Sequence, residues 1–331
     1  MLFKWYAIIM QESIRNFAEQ FNFEPTIENS DNLKPAKSFV VGGMGGSRLS
    51  AEILKAISEN LDITIHKNYG LPLLANKNPE EILFIASSFS GNTEETIDFL
   101  EKALAQKLNT AVITKDGRLL EIALEKKLPF IKLPDSDIQP RMALGWSLMA
   151  LLKLTSPNLL PELKELARIL NPLNFEDQGE ELAEKIKGKI PIIYASEKNR
   201  AIAEIWKIKF NETAKIPAFF NIFPELNHNE MTSFDYTPEN RELSENFFFI
   251  FIKDGDDHPR IQKRMEITAK MLKDRKLSIN EHQIQESRSV AIFNSLLLAD
   301  WTALNIARLY NAEPEQVPMV EKFKKLLTNN N

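Results

Sequence analysis

Short runs dominated by apolar or β-branched residues recur through the first half of the chain, at 38–41, 63–66, 82–86, 110–113 and 130–133. Between them apolar residues return every three or four positions, over 47–60, 93–106 and 119–125. Strands buried on both faces of a parallel sheet read as continuous β-branched or apolar runs, and amphipathic stretches between them read as crossover helices. Residues 142–154 are apolar on more than one face, which predicts a buried helix. Residues 155–187 carry prolines and two charged amphipathic segments, with little strand signal.

The second half repeats the alternation more loosely. Strands are expected at 190–194, 218–222, 247–252 and 278–283, and helices at 202–214, 260–273, 290–310 and 320–327. A peripheral helix is expected at 8–21, packing one face on the body. The pattern predicts an α/β protein of two doubly wound, flavodoxin-like parallel-sheet domains packed on each other. The expected division is a first domain over 1–154, a helical inter-domain region over 155–187 and a second domain over 188–331. The halves show no identity strong enough to define a repeat.

A chain of 331 residues, 44% apolar and 26% charged, has the composition of a folded protein with room for two cores. Its net charge of −5 argues against a general nucleic-acid binder, which needs concentrated Lys and Arg, but leaves room for a local anion site. There is no cysteine, so disulfides, thiolate metal sites and a cysteine nucleophile are excluded. The uncharged run 5–10 is too short to span a bilayer, and no small-residue cleavage site follows it. Neither membrane association nor a signal peptide is expected, and the expected location is cytoplasmic. His66, His228, His258 and His282 are scattered without ligand spacing, so no metal is expected.

Two clusters follow strands and open helices. Gly42-Gly43-Met44-Gly45-Gly46-Ser47 allows a tight turn and close backbone approach, as a plain strand-to-helix turn also would. It does not fit a dinucleotide fingerprint, because Arg48 stands where the third small residue belongs and His66-Lys67 close the second strand. The loop Ser87-Ser88-Phe89-Ser90-Gly91-Asn92-Thr93 is more telling. Hydroxyls gathered at a helix N-terminus make an anion site. With no P-loop Lys and no adjacent Asp for magnesium, a single phosphate monoester fits better than a nucleoside triphosphate. Helix capping by Asn92, with Glu95 answering, would explain those two residues and leave the hydroxyls unexplained. A third constellation joins Glu212 to Pro224-Glu225-Leu226-Asn227-His228-Asn229-Glu230, with Glu212 and His228 both expected near strand ends, where open α/β sheets bind ligands.

These runs, with Gln139-Pro140-Arg141, Asn211-Glu212 and the tail from Glu313-Pro314 to Lys324, resemble sugar-isomerase (SIS) domains. Taken together they resemble the bifunctional phosphoglucose/phosphomannose isomerase family, over nearly the whole chain from Ser38 to Lys324. The Ser-rich loop marks any SIS domain; the Pro-Glu-Leu-Asn-His-Asn-Glu run is far more specific. The resemblance implies two SIS-type domains, and that Gly46, Ser47, Ser88, Ser90 and Thr93 bind the sugar phosphate. It implies Glu212 as the base acting between C1 and C2, His228 and Lys324 in ring opening, and Arg141 against the enediolate charge. It further implies a metal-free reaction without cofactor, and a homodimer in which the partner supplies His228. Ile205 stands where many relatives carry Arg, Lys115-Asp116-Gly117 replaces a more glycine-rich turn, and Phe89 stands where Tyr is common. None of these touches Glu212, His228, Arg141 or Lys324.

The expected activity is interconversion of glucose 6-phosphate, fructose 6-phosphate and mannose 6-phosphate. The chemistry asks for these residue types: a carboxylate in reach of the proton, a fixed cation at the developing oxyanion, and a His for the ring oxygen. The alternatives are a non-catalytic SIS-domain sugar-phosphate sensor, which gives Glu212 and His228 no task, and an aminosugar-phosphate isomerase of the same fold.

Overall fold

The computed structural model describes residues 2–74 and 77–328, and its contacts divide it into two units. Residues 16–171, with 288–290, form the first. Its strands are β1 (Ser38–Gly42), β2 (Ile63–His66), β3 (Ile82–Ser88), β4 (Thr110–Thr114) and β5 (Phe130–Lys132). All pair in parallel, in the order β2-β1-β3-β4-β5. Every residue of β1, β3 and β4 is buried, which is why these runs carry no polar alternation.

The helix α1 (Leu2–Arg15) instead belongs to the other unit, and the helices of this one include α2 (Gly45–Ile57), α3 (Glu94–Ala105), α4 (Gly117–Glu125) and α5 (Leu144–Thr155). The expected helix at 8–21 is broken at Asn16. A 3-10 turn, Phe17–Asn22, follows and buries Phe17 and Phe21 edge to face, 5.9 Å apart. Between these two rings Gln20 turns inward. Its amide donates to Met142 O at 2.6 Å, and its Oε1 accepts from Gly145 N at 2.9 Å, satisfying the otherwise uncapped start of α5.

The second unit comprises 1–15, 172–287 and 291–331. Its strands β6 (Ile190–Ser196), β7 (Phe219–Phe223), β8 (Phe247–Asp254) and β9 (Ser278–Ile284) are parallel, in the order β7-β6-β8-β9. Its helices, besides α1, include α6 (Glu176–Ile186), α7 (Arg200–Glu212), α8 (Pro259–Asp274), α9 (Arg288–Leu309) and α10 (Pro318–Thr328). The division thus falls at 15/16 and 171/172 and cuts through the region expected to be inter-domain. Polar contacts explain α1's place: Gln11 donates to Glu176 at 3.2 Å, Arg308 donates to Gln11 at 2.8 Å, and Arg15 lies 3.5 Å from Glu176.

By length and composition α9 could cross a membrane, but 94% of its apolar window is buried inside the protein. It is a core helix, and it fixes α7. Lys209 and Asp300 form a buried ion pair at 2.6 Å, and Trp206 Nε1 donates to Ser295 Oγ at 3.0 Å. Breaking one side of such a pair leaves an uncompensated buried charge, at a cost of about 3–5 kcal/mol.

His282 on β9 stacks on Trp206, with ring centroids 5.6 Å apart, and its Nε2 is buried without a hydrogen-bond partner among the described residues. Burial pushes its pKa down to about 4 from 6.5. Between those values the unfolded chain binds a proton that the folded chain refuses, so stability is full above about pH 6.5 and falls as pH drops towards 4. This group alone is expected to cost about 2 kcal/mol by about pH 5. Denaturant unfolding at about pH 7.5 and 5 checks it, since His282→Phe, which keeps the ring stacking, should flatten that part of the dependence.

Candidate functional site

In each unit the strand order reverses between the first and third strands, which opens a crevice at their carboxyl ends. In the first unit β1 and β3 pair side by side, with Gly42 opposite Ala86. Their outgoing loops therefore lie together, and Phe89 N–H donates to Ser47 Oγ at 2.8 Å, tying one to the other. Ser88 Oγ and Thr93 Oγ1 share a hydrogen bond at 2.8 Å, Ser90 Oγ lies 3.5 Å from Ser88 Oγ, and Asn92 N–H donates to Ser90 Oγ at 3.3 Å. Ser47 and Ser88 are buried, Thr93 is half-buried and Ser90 is exposed.

Two helices begin at this crevice, α2 after Met44 and α3 after Thr93, and no side chain caps either. The Asn92 amide does not cap α3; its Oδ1 accepts from Arg118 N at 3.0 Å and holds α4. Thr93 turns its hydroxyl to Ser88 instead. Two uncapped helix N-termini with four hydroxyls between them form a cradle for one compact anion. Gly91 makes the loop possible. Its φ is +69°, and a Cβ there would lie 1.6 Å from Asp116 O.

Arg141 sits in the 3-10 turn Pro140–Met142, only 2% exposed. The turn is pressed against the start of α2, where a Cβ on Gly46 would come within 2.6 Å of Pro140 O and 2.9 Å of Arg141 N. Gly46, Ser47, Ser88, Ser90, Thr93 and the Arg141 backbone are thus brought together in one unit.

The other expected site residues lie in the second unit. Glu212 is the last residue of α7. Lys215, at φ +59°, donates to Glu212 O and, at 2.5 Å, to Gln316 O, joining the end of α7 to the turn that leads into α10. Lys324 lies on α10, exposed and paired with Glu321 at 2.8 Å. His228 closes a 3-10 turn, Glu225–His228, after β7. It is exposed, and its side chain makes no hydrogen bond within the chain among the described residues.

Within this unit Glu212 and His228 are not brought together. The register sets Phe219 beside Ile192 and Phe223 beside Ser196, so β7 runs from the amino edge of the sheet to its carboxyl edge. The 13 residues of α7 carry the chain back across the sheet, about 20 Å, before β7 begins. Glu212 therefore lies at the amino edge and His228 beyond the carboxyl edge. The expectation that both stand where open α/β sheets bind ligands holds for His228 and not for Glu212.

The polar residues around His228 are held by partners distant in the chain. Tyr194 OH donates to Glu230 Oε1 at 2.6 Å and Asn221 Nδ2 to Glu230 Oε2 at 2.5 Å. Asn227 donates to Thr268 Oγ1 at 2.9 Å, and Asn229 donates to Glu225 at 2.8 Å. Four polar residues around one His were a visible signal, but their partners on β6, β7 and α8 were not. Among the described residues no group of three or more His, Asp or Glu is gathered for a metal ion.

Over 95% of this chain and 97% of its own length, the bifunctional phosphoglucose/phosphomannose isomerase of Aquifex aeolicus is 32% identical to it. The chain belongs to the bifunctional phosphoglucose/phosphomannose isomerase family. The family member from Caldicellulosiruptor bescii is also 32% identical, over 96% of this chain and 98% of its own. Residues 175–327 match the family described as bacterial phospho-glucose isomerase C-terminal SIS domain. In fold, the chain is similar to the crystal structure of a hypothetical protein from Thermus thermophilus, with a TM-score of 0.65 at 16% identity, covering 98% of this chain and 89% of that one.

Because Gly46 lies against backbone rather than a movable side chain, Gly46→Ala is expected to displace the Arg141 turn from α2. A penalty of about 1–3 kcal/mol, typical of overpacking, should appear as a lowered melting temperature. Inorganic phosphate should then stabilise the variant less than it stabilises wild type in the same melt.

Proposed function

We propose that this chain interconverts glucose 6-phosphate and fructose 6-phosphate, and mannose 6-phosphate and fructose 6-phosphate, by proton transfer through a cis-enediol(ate). The observation that carries the reading is the near full-length likeness to curated isomerases of this family. The hydroxyl-lined cradle of the first unit supports it, because a phosphate monoester is the anion such a cradle fits.

Each residue then has a task. Ser47, Ser88, Ser90 and Thr93 hold the phosphate with the N–H groups at Gly46 and the start of α3, and this remote binding positions the sugar carbons. In ring opening the bond from the anomeric carbon to O5 breaks, O5 takes a proton and the anomeric hydroxyl loses one; His228 and Lys324 carry these transfers. Glu212 removes the proton from C2 of the aldose and returns it to C1, while the hydroxyl proton passes between O2 and O1. Arg141 stabilises the negative charge that develops on the enediolate oxygens, a term worth about 3 kcal/mol for one fixed donor. Neither metal nor cofactor enters this sequence.

The opposite placement of Glu212 and His228 in one chain, with His228 exposed, supports a homodimer in which each site takes His228 from the partner. The absence of cysteine supports a cytoplasmic location.

A coupled assay with fructose 6-phosphate and mannose 6-phosphate tests the activity, and no turnover of either would end the reading. Ser88→Ala with Ser90→Ala is expected to raise KM about 10- to 100-fold at nearly constant kcat, whereas Glu212→Gln should lower kcat by about a thousandfold with KM little changed. The reverse pattern would overturn the assignment of roles.

A further inference from the structure

The turn that carries His228 is framed by its neighbours, and the frame converges on one carboxylate. Tyr194 on β6 and Asn221 on β7 stand directly opposite each other in the parallel register. Their side chains leave the same face of the sheet and each donates to a different oxygen of Glu230, at 2.6 and 2.5 Å. The Asn221 amide is oriented from its other end, since its Oδ1 accepts from Ile222 N at 2.8 Å. The Tyr194 ring is 1% exposed and held by Phe223, Phe249 and Phe251, with centroids 6.0, 5.6 and 5.5 Å away. Burial first, then the charge of Glu230, raises the Tyr194 pKa and keeps its hydroxyl a donor.

The backbone of the turn is stitched to the same carboxylate residue. Glu230 N–H donates to Asn229 Oδ1 at 2.6 Å, Ser233 Oγ donates to Glu230 O at 2.7 Å, and Arg264 donates to Asn227 Oδ1 at 3.3 Å. Asn227, Asn229 and Glu230 therefore commit their side chains to the fold, while the exposed His228 side chain makes no hydrogen bond among the described residues. A half-buried carboxylate satisfied by two donors on adjacent strands is a geometric lock on a turn that has no regular secondary structure beyond single 3-10 turns.

We propose that Glu230 is the positioning residue for His228. Clamped by Tyr194 and Asn221, it fixes the turn so that the imidazole is presented for proton transfer at the sugar ring oxygen. The proposal rests on the ring-opening role given to His228 above, and its effect must pass through that residue.

The test uses two substrates on the full-length chain: fructose 6-phosphate, which must be opened, and 5-deoxyfructose 6-phosphate, which lacks the hydroxyl that closes the ring. Glu230→Ala and Tyr194→Phe are expected to lower kcat on fructose 6-phosphate about 10- to 100-fold, with KM within about twofold, as misplacement of a reacting group does. Turnover of the open-chain analogue should fall less than about threefold, and Glu230→Gln, which keeps one acceptor oxygen, should recover part of the loss on the cyclic substrate. Adding Glu230→Ala to His228→Ala should bring no further loss. Tyr194→Phe changes shape least, so it carries the test if the alanine variant does not fold.

Equal losses on both substrates, additive losses in the double variant, or wild-type kcat with only a lowered melting temperature would each overturn the proposal. If His228→Ala turned over fructose 6-phosphate as wild type does, the reading of His228 itself would fall, and this proposal with it. Impaired His228→Ala beside fully active Glu230→Ala would remove only the proposal.

Discussion

Parallel strands cannot be joined by a hairpin; each must be followed by a crossover that returns the chain to the edge where the last strand began. That constraint sorts the reactive groups of this protein before any side chain is considered. Loops that leave a strand and enter a helix gather at the carboxyl edge, where helix N-termini point outward. The ends of the crossover helices gather at the amino edge. Ser88, Ser90 and Thr93 are on loops of the first kind, and so is the turn bearing His228. Glu212, as the last residue of α7, is of the second kind. A single doubly wound unit thus sets Glu212 and His228 at opposite edges of one sheet.

The two classes of group are held differently. Around the anion cradle, the backbone does the holding. Glycine at positions 46 and 91 lets peptide groups approach as closely as side chains would, and hydroxyls are shared between neighbouring loops. An anion needs several weak donors converging on one point, and rigid peptide groups supply them without reorganisation. Around Glu212 the anchoring is ionic and buried: Lys209, three residues earlier on α7, is paired with Asp300 on α9. The lysine one short turn later, Lys215, ties Glu212 O to Gln316 O. These contacts fix the end of α7.

Most of the sheet architecture was legible because it rests on local pattern. The run at 82–86 reads as a strand from its unbroken apolar character and 63–66 from its β-branched residues, and the structure extends the former to Ser88. The position of the Ser-rich loop was legible because it falls between an apolar strand and a helix; that its hydroxyls bond to one another and to backbone was not. What escaped depends on partners distant in the chain. Gln20 answers the start of α5 across 125 residues, and Tyr194 reaches Glu230 across 36. Asn92 had the right chemistry for a cap, and only the position of α4 reveals that it serves Arg118 N instead. The separation of Glu212 from His228 follows from register, which apolar periodicity leaves open.

One unit is assembled from the two ends of the chain, since α1 packs with residues after 171 and α9 supplies its core. On a ribosome the consequence is a matter of timing. Residues 16–171, which make up nearly all of the other unit, are complete when the chain is half made. The first helix must then wait for α9, nearly 300 residues later, roughly 15 to 60 s at the usual bacterial and eukaryotic pace of 5–20 residues per second. For that interval α1, with Met10 and Ile14 that end fully buried, has only part of its native surroundings, those that begin at about residue 172. The nascent protein therefore passes through a state with one finished unit and one sticky amino-terminal arm, a natural point for chaperone engagement.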